Sequence, residues 1–323
     1  VADIRVAAMQ PAMAPSTDIV VVAINEDTLT AFPYRSPVDR GFLADVISQV
    51  SAKGARVIGV DIIIDQPTEA TKDARLKQVL ATTPTPLFLS YTSSPNIVTP
   101  EQLAFLNDFV PANQRAEANL LSDPFDTLIR KINPGGELKN GRMVDTASHP
   151  AGFVRKAVTL FGGTAPLTPV EIAWRPRPDA ESLPFPSFPA QFVSILPDEF
   201  FRGKIVLIGA TLSITDRHMT PMSIIDDGDQ GNMPGVFVQA HGISQLLENR
   251  APPRMSLNGI IAFSALFAIL GVAVSLFKRG IIFNVGVGVT ILASYWVGAI
   301  VGFGYGLPML PIIGPSIAFA LSI

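Results

Sequence analysis

Cysteine is absent from all 323 residues, which excludes disulfides, zinc–thiolate sites, iron–sulfur clusters and a thiol nucleophile. Histidine is scarce. His149, His218 and His241 lie so far apart that no pair has the spacing of a zinc motif. Charge is thin as well, at 16% of residues, against about 25% in an average soluble protein. The 24 basic and 27 acidic side chains leave a net charge of −3, a balance that excludes a protein held to nucleic acid by its charge. The charges are also unevenly spread, because beyond Arg254 the last 69 residues hold only Lys278 and Arg279. The chain reads as a polar domain followed by a membrane tail.

The tail begins with an uncharged run of 21 residues, Leu257 to Phe277, which at helical rise spans about 31 Å, the thickness of a bilayer core. A second uncharged run, 281–302, follows after a connection only long enough to reverse the chain. A third, 307–323, starts after the neutral turn Phe303-Gly304-Tyr305-Gly306. Three transmembrane helices are therefore expected, the last reaching only about 25 Å. Lys278-Arg279 is the charged connection and belongs on the cytoplasmic side, which puts residues 1–254 outside the cytoplasm. Gly298 and Gly302 form a GxxxG pair suited to close helix packing, within the tail first and across a dimer interface as the alternative. Position 1 is Val, and nothing near it resembles a signal peptide, so residues upstream are expected.

Ahead of the tail, Ile19-Val-Val-Val-Ala-Ile24 is a β-branched run of the kind buried on both faces of a parallel sheet. Ser36-Pro37-Val38-Asp39 reads as a helix start, Phe42, Leu43, Val46, Ile47 and Val50 repeat at helical spacing, and Gly54 stops the helix. A second buried strand follows over Arg56–Ile64, making a βαβ unit with parallel strands. The pattern continues with a helix over 73–81, a strand over 86–91 and an irregular insertion over 92–152 containing helical pieces at 101–107 and 124–131. A strand at 152–161, a short helix at 190–196, a strand at 204–209 and an amphipathic helix at 236–249 complete the domain. The fold class is α/β, with a mostly parallel sheet flanked by helices and the membrane tail after it. The divisions are 1–17 as a juncture, 18–254 as the domain and 255–323 as the tail.

In a parallel sheet, ligands bind where the carboxyl ends of the strands open a crevice. That rule gathers Asn25, Glu26, Asp27, Asp61, Asp65, Ser90 and Thr211, and the loop after the last strand adds Asp216 and His218, with Thr220 beside them. The same residue types also suit helix caps and turns, a reading that weighs most for Asn25, Asp27 and Asp61. Asp226-Asp-Gly-Asp-Gln-Gly-Asn232 has Gly231 where a calcium loop needs a ligand, and no glutamate at the twelfth position. Gly203-Lys204 precedes its strand and lacks the upstream glycine and the Ser or Thr of a phosphate loop. No nucleophile elbow occurs. No cofactor, metal or enzymatic activity is expected of this chain.

Several segments, in this order, resemble the type 2 CHASE sensory domains of bacterial receptor cyclases and kinases. They are Asp18-Ile-Val-Val-Val-Ala-Ile-Asn25 with Glu26-Asp-Thr-Leu29, Gly54-Ala-Arg-Val-Ile-Gly-Val-Asp61, and Arg202-Gly-Lys-Ile-Val-Leu-Ile-Gly-Ala-Thr211. Asp216, Thr220-Pro221, Met233-Pro-Gly-Val236, Gln245-Leu-Leu247, Phe153-Val-Arg155 and Pro186-Ser-Phe-Pro189 extend the likeness. The sequence departs from the family at Tyr34-Arg-Ser-Pro37, where a Trp-Pro-Trp-Pro-Arg-like run is usual, and at Gln239, where histidine is common. The resemblance implies a helix before Asp3-Ile4-Arg5, three helices after the sensor, and a cyclase or kinase output further on. It implies an input module in the bacterial inner membrane that faces the periplasm, contacts lipid and senses a periplasmic ligand or protein, with a symmetric dimer as its signalling unit. The competing expectation is a non-catalytic accessory subunit of a larger membrane complex.

Overall fold

The uninterrupted β-branched runs become the interior of a parallel sheet, whose strands are covered on both faces and so need no polar alternation. This is seen in a computed structural model that describes residues 2–179, 181–224, 232–252, 254–277 and 279–323. The chain divides into two compact units, Ala12–Ala251 and the pair Val1–Pro11 with Pro252–Ile323.

In the first unit, among the described residues, six strands form one parallel sheet. Their spatial order is Ser187–Pro189, Ile19–Ile24, Ile205–Ala210, Val57–Asp61, Leu87–Tyr91 and Arg115–Glu117. The strand Ile205–Ala210, late in sequence, thus lies between the first two. Val20, Val22, Ile24, Ile58, Val60, Val206 and Ile208 point to one face. There they pack with Leu43, Ile47 and Val50 of the helix Arg40–Ala52, Leu76 and Leu80 of Ala70–Thr82, and Leu106 and Phe109 of Pro100–Phe109. The helices Phe153–Phe161 and Gly235–Leu247 cover the other face, with the rings of Phe88 and Phe153 4.7 Å apart.

Four expectations change in this unit. The segment 152–161 is a helix, because Phe153, Val154, Ala157 and Val158 fall on one helical stripe and all are buried. The piece at 124–131 is a turn leading into the strand Ile129–Ile132, with Thr127 at φ 62° and the Asp123 carbonyl accepting from the Thr127 amide. The helix expected from Ser36-Pro37 begins at Arg40 with Asp39 as its cap, because the Asp39 carboxylate accepts from the Phe42 amide at 2.9 Å. The helix expected over 190–196 is a single 3₁₀ turn, Ala190–Phe192.

In the second unit, two helices are long and apolar enough to cross a membrane, Leu257–Ser275 and Ile281–Gly304. The third expected span is corrected. Residues 307–312 are not helical, and the helix Ile313–Ser322 has only 10 residues. Pro308 and Pro311 carry no amide hydrogen for a helical ladder, which accounts for the late start. Phe267 packs against Tyr295 and Phe319, with ring centroids at 4.4 Å and 6.3 Å. Close helix approach is made at Gly271, where a Cβ would lie 2.7 Å from the Phe319 carbonyl, and at Gly288, where one would lie 2.6 Å from Ile323. Gly298 meets nothing within 4 Å, and Gly302 faces only Leu307, so the expected GxxxG pair does not make the helix contact within this unit. The loop residue Lys278, half of the sidedness argument, lies outside the described residues.

The short helix Ala2–Met9 belongs to this unit too. Its buried Arg5 donates to the carbonyls of Ala299 at 2.8 Å and Leu310 at 2.9 Å, and Asp3 pairs with Arg254 at 2.8 Å.

Candidate functional site

Parallel pairing places the carboxyl ends of all six strands on one edge of the sheet. The chain leaves Ile19–Ile24 and Val57–Asp61 toward the helices on the first face, and leaves Ile205–Ala210, which lies between them, toward Gly235–Leu247 on the other. Neighbouring strands whose exits diverge leave a crevice between them.

Register decides what lines it. Gly209 pairs with Asp61, and Leu89 with Val60, so Asp61 sits between Gly209 and Ser90 on the face of Gly235–Leu247. The Ser90 hydroxyl donates to Asp61 Oδ1 at 2.7 Å. A Cβ on Gly209 would stand 2.7 Å from Val236 Cβ and 3.3 Å from Asp61 Cβ, so the missing side chain is what lets the helix start close over the strand end. Asp216 adopts φ 55°, its carbonyl accepts from the Gly235 amide at 3.0 Å, and a Cβ on Gly235 would stand 2.6 Å from its carboxylate. Asp216 Oδ1 pairs with His218 Nε2 at 2.8 Å. The strand Arg217–Met219 that carries His218 is held by antiparallel pairing with Asn232–Pro234.

The Asp216–His218 pair therefore stands at the start of a 13-residue helix, within electrostatic range of Asp61. Burial pushes the Asp61 carboxyl up to about 7, and the Asp216 carboxylate adds to that push, while the Ser90 hydroxyl and His218 oppose it. The Asp61 carboxyl thus keeps its proton up to near-neutral pH.

The other candidates divide. Asn25 caps the helix Glu26–Thr30, its Oδ1 accepting from the Thr28 amide at 2.9 Å. Glu26 accepts from the amide and hydroxyl of Ser213, both at 2.9 Å, and ties the first strand's exit loop to that of Ile205–Ala210. Asp27 is exposed on the first turn of the same short helix. The Thr211 amide donates to the Ile24 carbonyl at 2.9 Å, which makes it part of the sheet edge. Asp65 accepts from Gln102 at 2.7 Å, on the face away from Asp61. Thr220 is fully buried and turns the chain, its hydroxyl accepting from the Met222 amide. Among the described residues, no group of three His, Asp or Glu side chains has a metal-holding arrangement. Residues 226–231 of the calcium-like run lie outside the described residues.

Two polar centres escaped the sequence reading. Arg40 is completely buried, and the signal that could have found it is its place on the helical stripe with Leu43, Ala44 and Ile47. His241 is buried on the helix Gly235–Leu247, its Nδ1 accepting from the Arg175 amide at 3.0 Å. Burial pulls that imidazole down to about 3, with the charges of Arg250 and Arg175 adding to the effect. Arg175 in turn pairs with Glu248 at 2.5 Å. No local spacing announces this contact, because Arg175 and His241 are 66 residues apart.

A family model described as the CHASE2 domain matches residues 1–276. No curated protein and no solved structure matches the chain.

Proposed function

The chain belongs to the CHASE2 domain family of sensory input domains, and on that premise we propose that it is the membrane-anchored, extracytoplasmic input module of a bacterial signalling receptor. Its ligand occupies the strand-end crevice around Asp61, Ser90, Asp216 and His218. The observation that carries this reading is the closure of Gly235–Leu247 over Gly209 and Asp61. A ligand that displaces Asp216 acts directly on the start of that helix. The helix ends 10 residues before Leu257, where the first apolar span begins, so a change at the crevice has a short covalent path toward the membrane. A small ligand contributes to such a change only as much as its affinity differs between the two states. The module supplies recognition and no chemistry, and a symmetric dimer in the inner membrane is the arrangement in which it signals.

Because the chain has no cysteine, its orientation is directly measurable. Single cysteines at Ile214, which is 90% exposed, and at Arg279, in the connection between the two spans, are treated with a membrane-impermeant maleimide in intact spheroplasts. Ile214→Cys is expected to label at once and Arg279→Cys only after permeabilisation. The opposite pattern, or labelling of both, overturns the extracytoplasmic assignment.

A further inference from the structure

Arg40 presents an unusual electrostatic situation. It opens the helix Arg40–Ala52 at the carboxyl edge of the sheet, its residue is 0% exposed, and none of its three guanidinium nitrogens has a hydrogen-bond partner. This is unfavourable, because the five N–H groups have given up water without gaining a hydrogen bond, and their ion-pair contact, Asp73, stands at 4.0 Å.

The carboxylates around it are engaged elsewhere. Asp73, the nearest, stands 4.0 Å from Arg40 Nε, and its two oxygens accept from the hydroxyl and amide of Thr68 at 2.7 Å and 2.8 Å. Asp65 is held by Gln102 at 2.7 Å. Asp39 accepts from the Phe42 amide and from Lys72 at 2.6 Å, and Glu69 accepts from Lys72 and from the hydroxyl of Tyr34. The neighbourhood thus supplies negative charge at a distance but no oxygen in contact with the guanidinium.

We propose that Arg40 is the anchor of a second ligand site, separate from the strand-end crevice, which takes a small monocarboxylate. A carboxylate fits because its two oxygens match one edge of a guanidinium. A single negative charge is favoured over a dianion because Asp39, Asp65 and Asp73 already act on the position. The nitrogens are shut off from solvent, so the ligand enters when the irregular segment before Asp39, which carries Tyr34, lifts from the start of Ala70–Thr82. Binding would hold that segment closed over the helix start.

The test follows thermal unfolding of the full chain in detergent during titration with sodium acetate, with sodium chloride at equal ionic strength as reference. A saturable rise in Tm is expected in the native chain. Arg40→Lys, which keeps the charge but loses the planar fork, should weaken the apparent affinity by about tenfold or more. Asp65→Asn, which removes a repelling charge, should strengthen it several-fold. The proposal is overturned by the absence of a saturable rise in the native chain. It is equally overturned by an unchanged response in Arg40→Lys, or by a response lost in Asp61→Asn instead. Should Arg40→Lys fail to fold, an unchanged midpoint in Asp65→Asn overturns it, and a larger rise with inorganic phosphate than with acetate overturns the carboxylate assignment.

Discussion

Two buried titratable side chains oppose one another in the pH dependence of stability. Asp61 binds its proton in the fold up to about pH 7, whereas an unfolded aspartate releases it near pH 4. Between those values the folded state holds more protons, so this group's contribution falls as pH rises. His241 behaves in the opposite sense. It stays neutral in the fold down to about pH 3, while the unfolded imidazole gains a proton below about 6.5, so its contribution is lost as pH falls through that window. The two slopes offset each other between about pH 4 and 6.5, which predicts a broad stability plateau in the native chain. Asp61→Asn should remove one slope and leave stability rising by a few kcal/mol from pH 4 to 6.5, measured by denaturant unfolding at a series of pH values. A plateau unchanged by this substitution would show that the Asp61 carboxyl ionises normally in the fold. At this scale the sequence was partly readable. Asp61, Asp216 and His218 were nominated by their position after strands, but Asn25 proved to be a cap because capping and binding draw on the same short polar side chains.

The packing of one strand against one helix depends on a missing side chain. Gly209→Ala would put a methyl group 2.7 Å from Val236 Cβ, deep between elements that have no room to part. Overpacking of that kind costs about 1–3 kcal/mol. The expected result is a lower Tm together with faster amide exchange at the start of Gly235–Leu247, and unaltered exchange there would mean the helix yields without strain. Element by element, the strands Ile19–Ile24, Val57–Asp61, Leu87–Tyr91 and Ile205–Ala210 were legible because a buried parallel strand writes itself as a short, mostly apolar run, rich in β-branched residues in three of them and in Leu, Phe and Tyr in Leu87–Tyr91. The same rule misled at Phe153–Phe161. Over nine residues an apolar helix and a buried strand have similar composition, and only the polar gap at Arg155-Lys156 marks the helical period. The strand Arg115–Glu117 was hidden for the converse reason, since its charged Arg115 is buried through partners outside the strand, donating to the carbonyls of Asn107 and Ala147.

The membrane unit depends on a contact that hydropathy cannot report. Arg5 bridges the carbonyls of Ala299 and Leu310, joining the first helix of the chain to the non-helical stretch that replaces the expected third span. Arg5→Met should release both carbonyls and lower stability in detergent by about 1–3 kcal/mol. Breaking the more exposed Asp3–Arg254 pair with Asp3→Asn should change it by less than about 1 kcal/mol. Equal effects in the two variants would refute the central role given to Arg5. The order of strands in the sheet has a further consequence, for the time course of synthesis. Since Ile205–Ala210 fills the gap between Ile19–Ile24 and Val57–Asp61, a nascent chain that has delivered its first two hundred residues still holds two central strands with an open slot between them. The facing edges of those two strands stay unpaired until the closing strand emerges, and pairing at such sequence separation is then slow. A ribosome stalled before that strand should therefore display a protease-sensitive chain, and one stalled after Leu247 a resistant core.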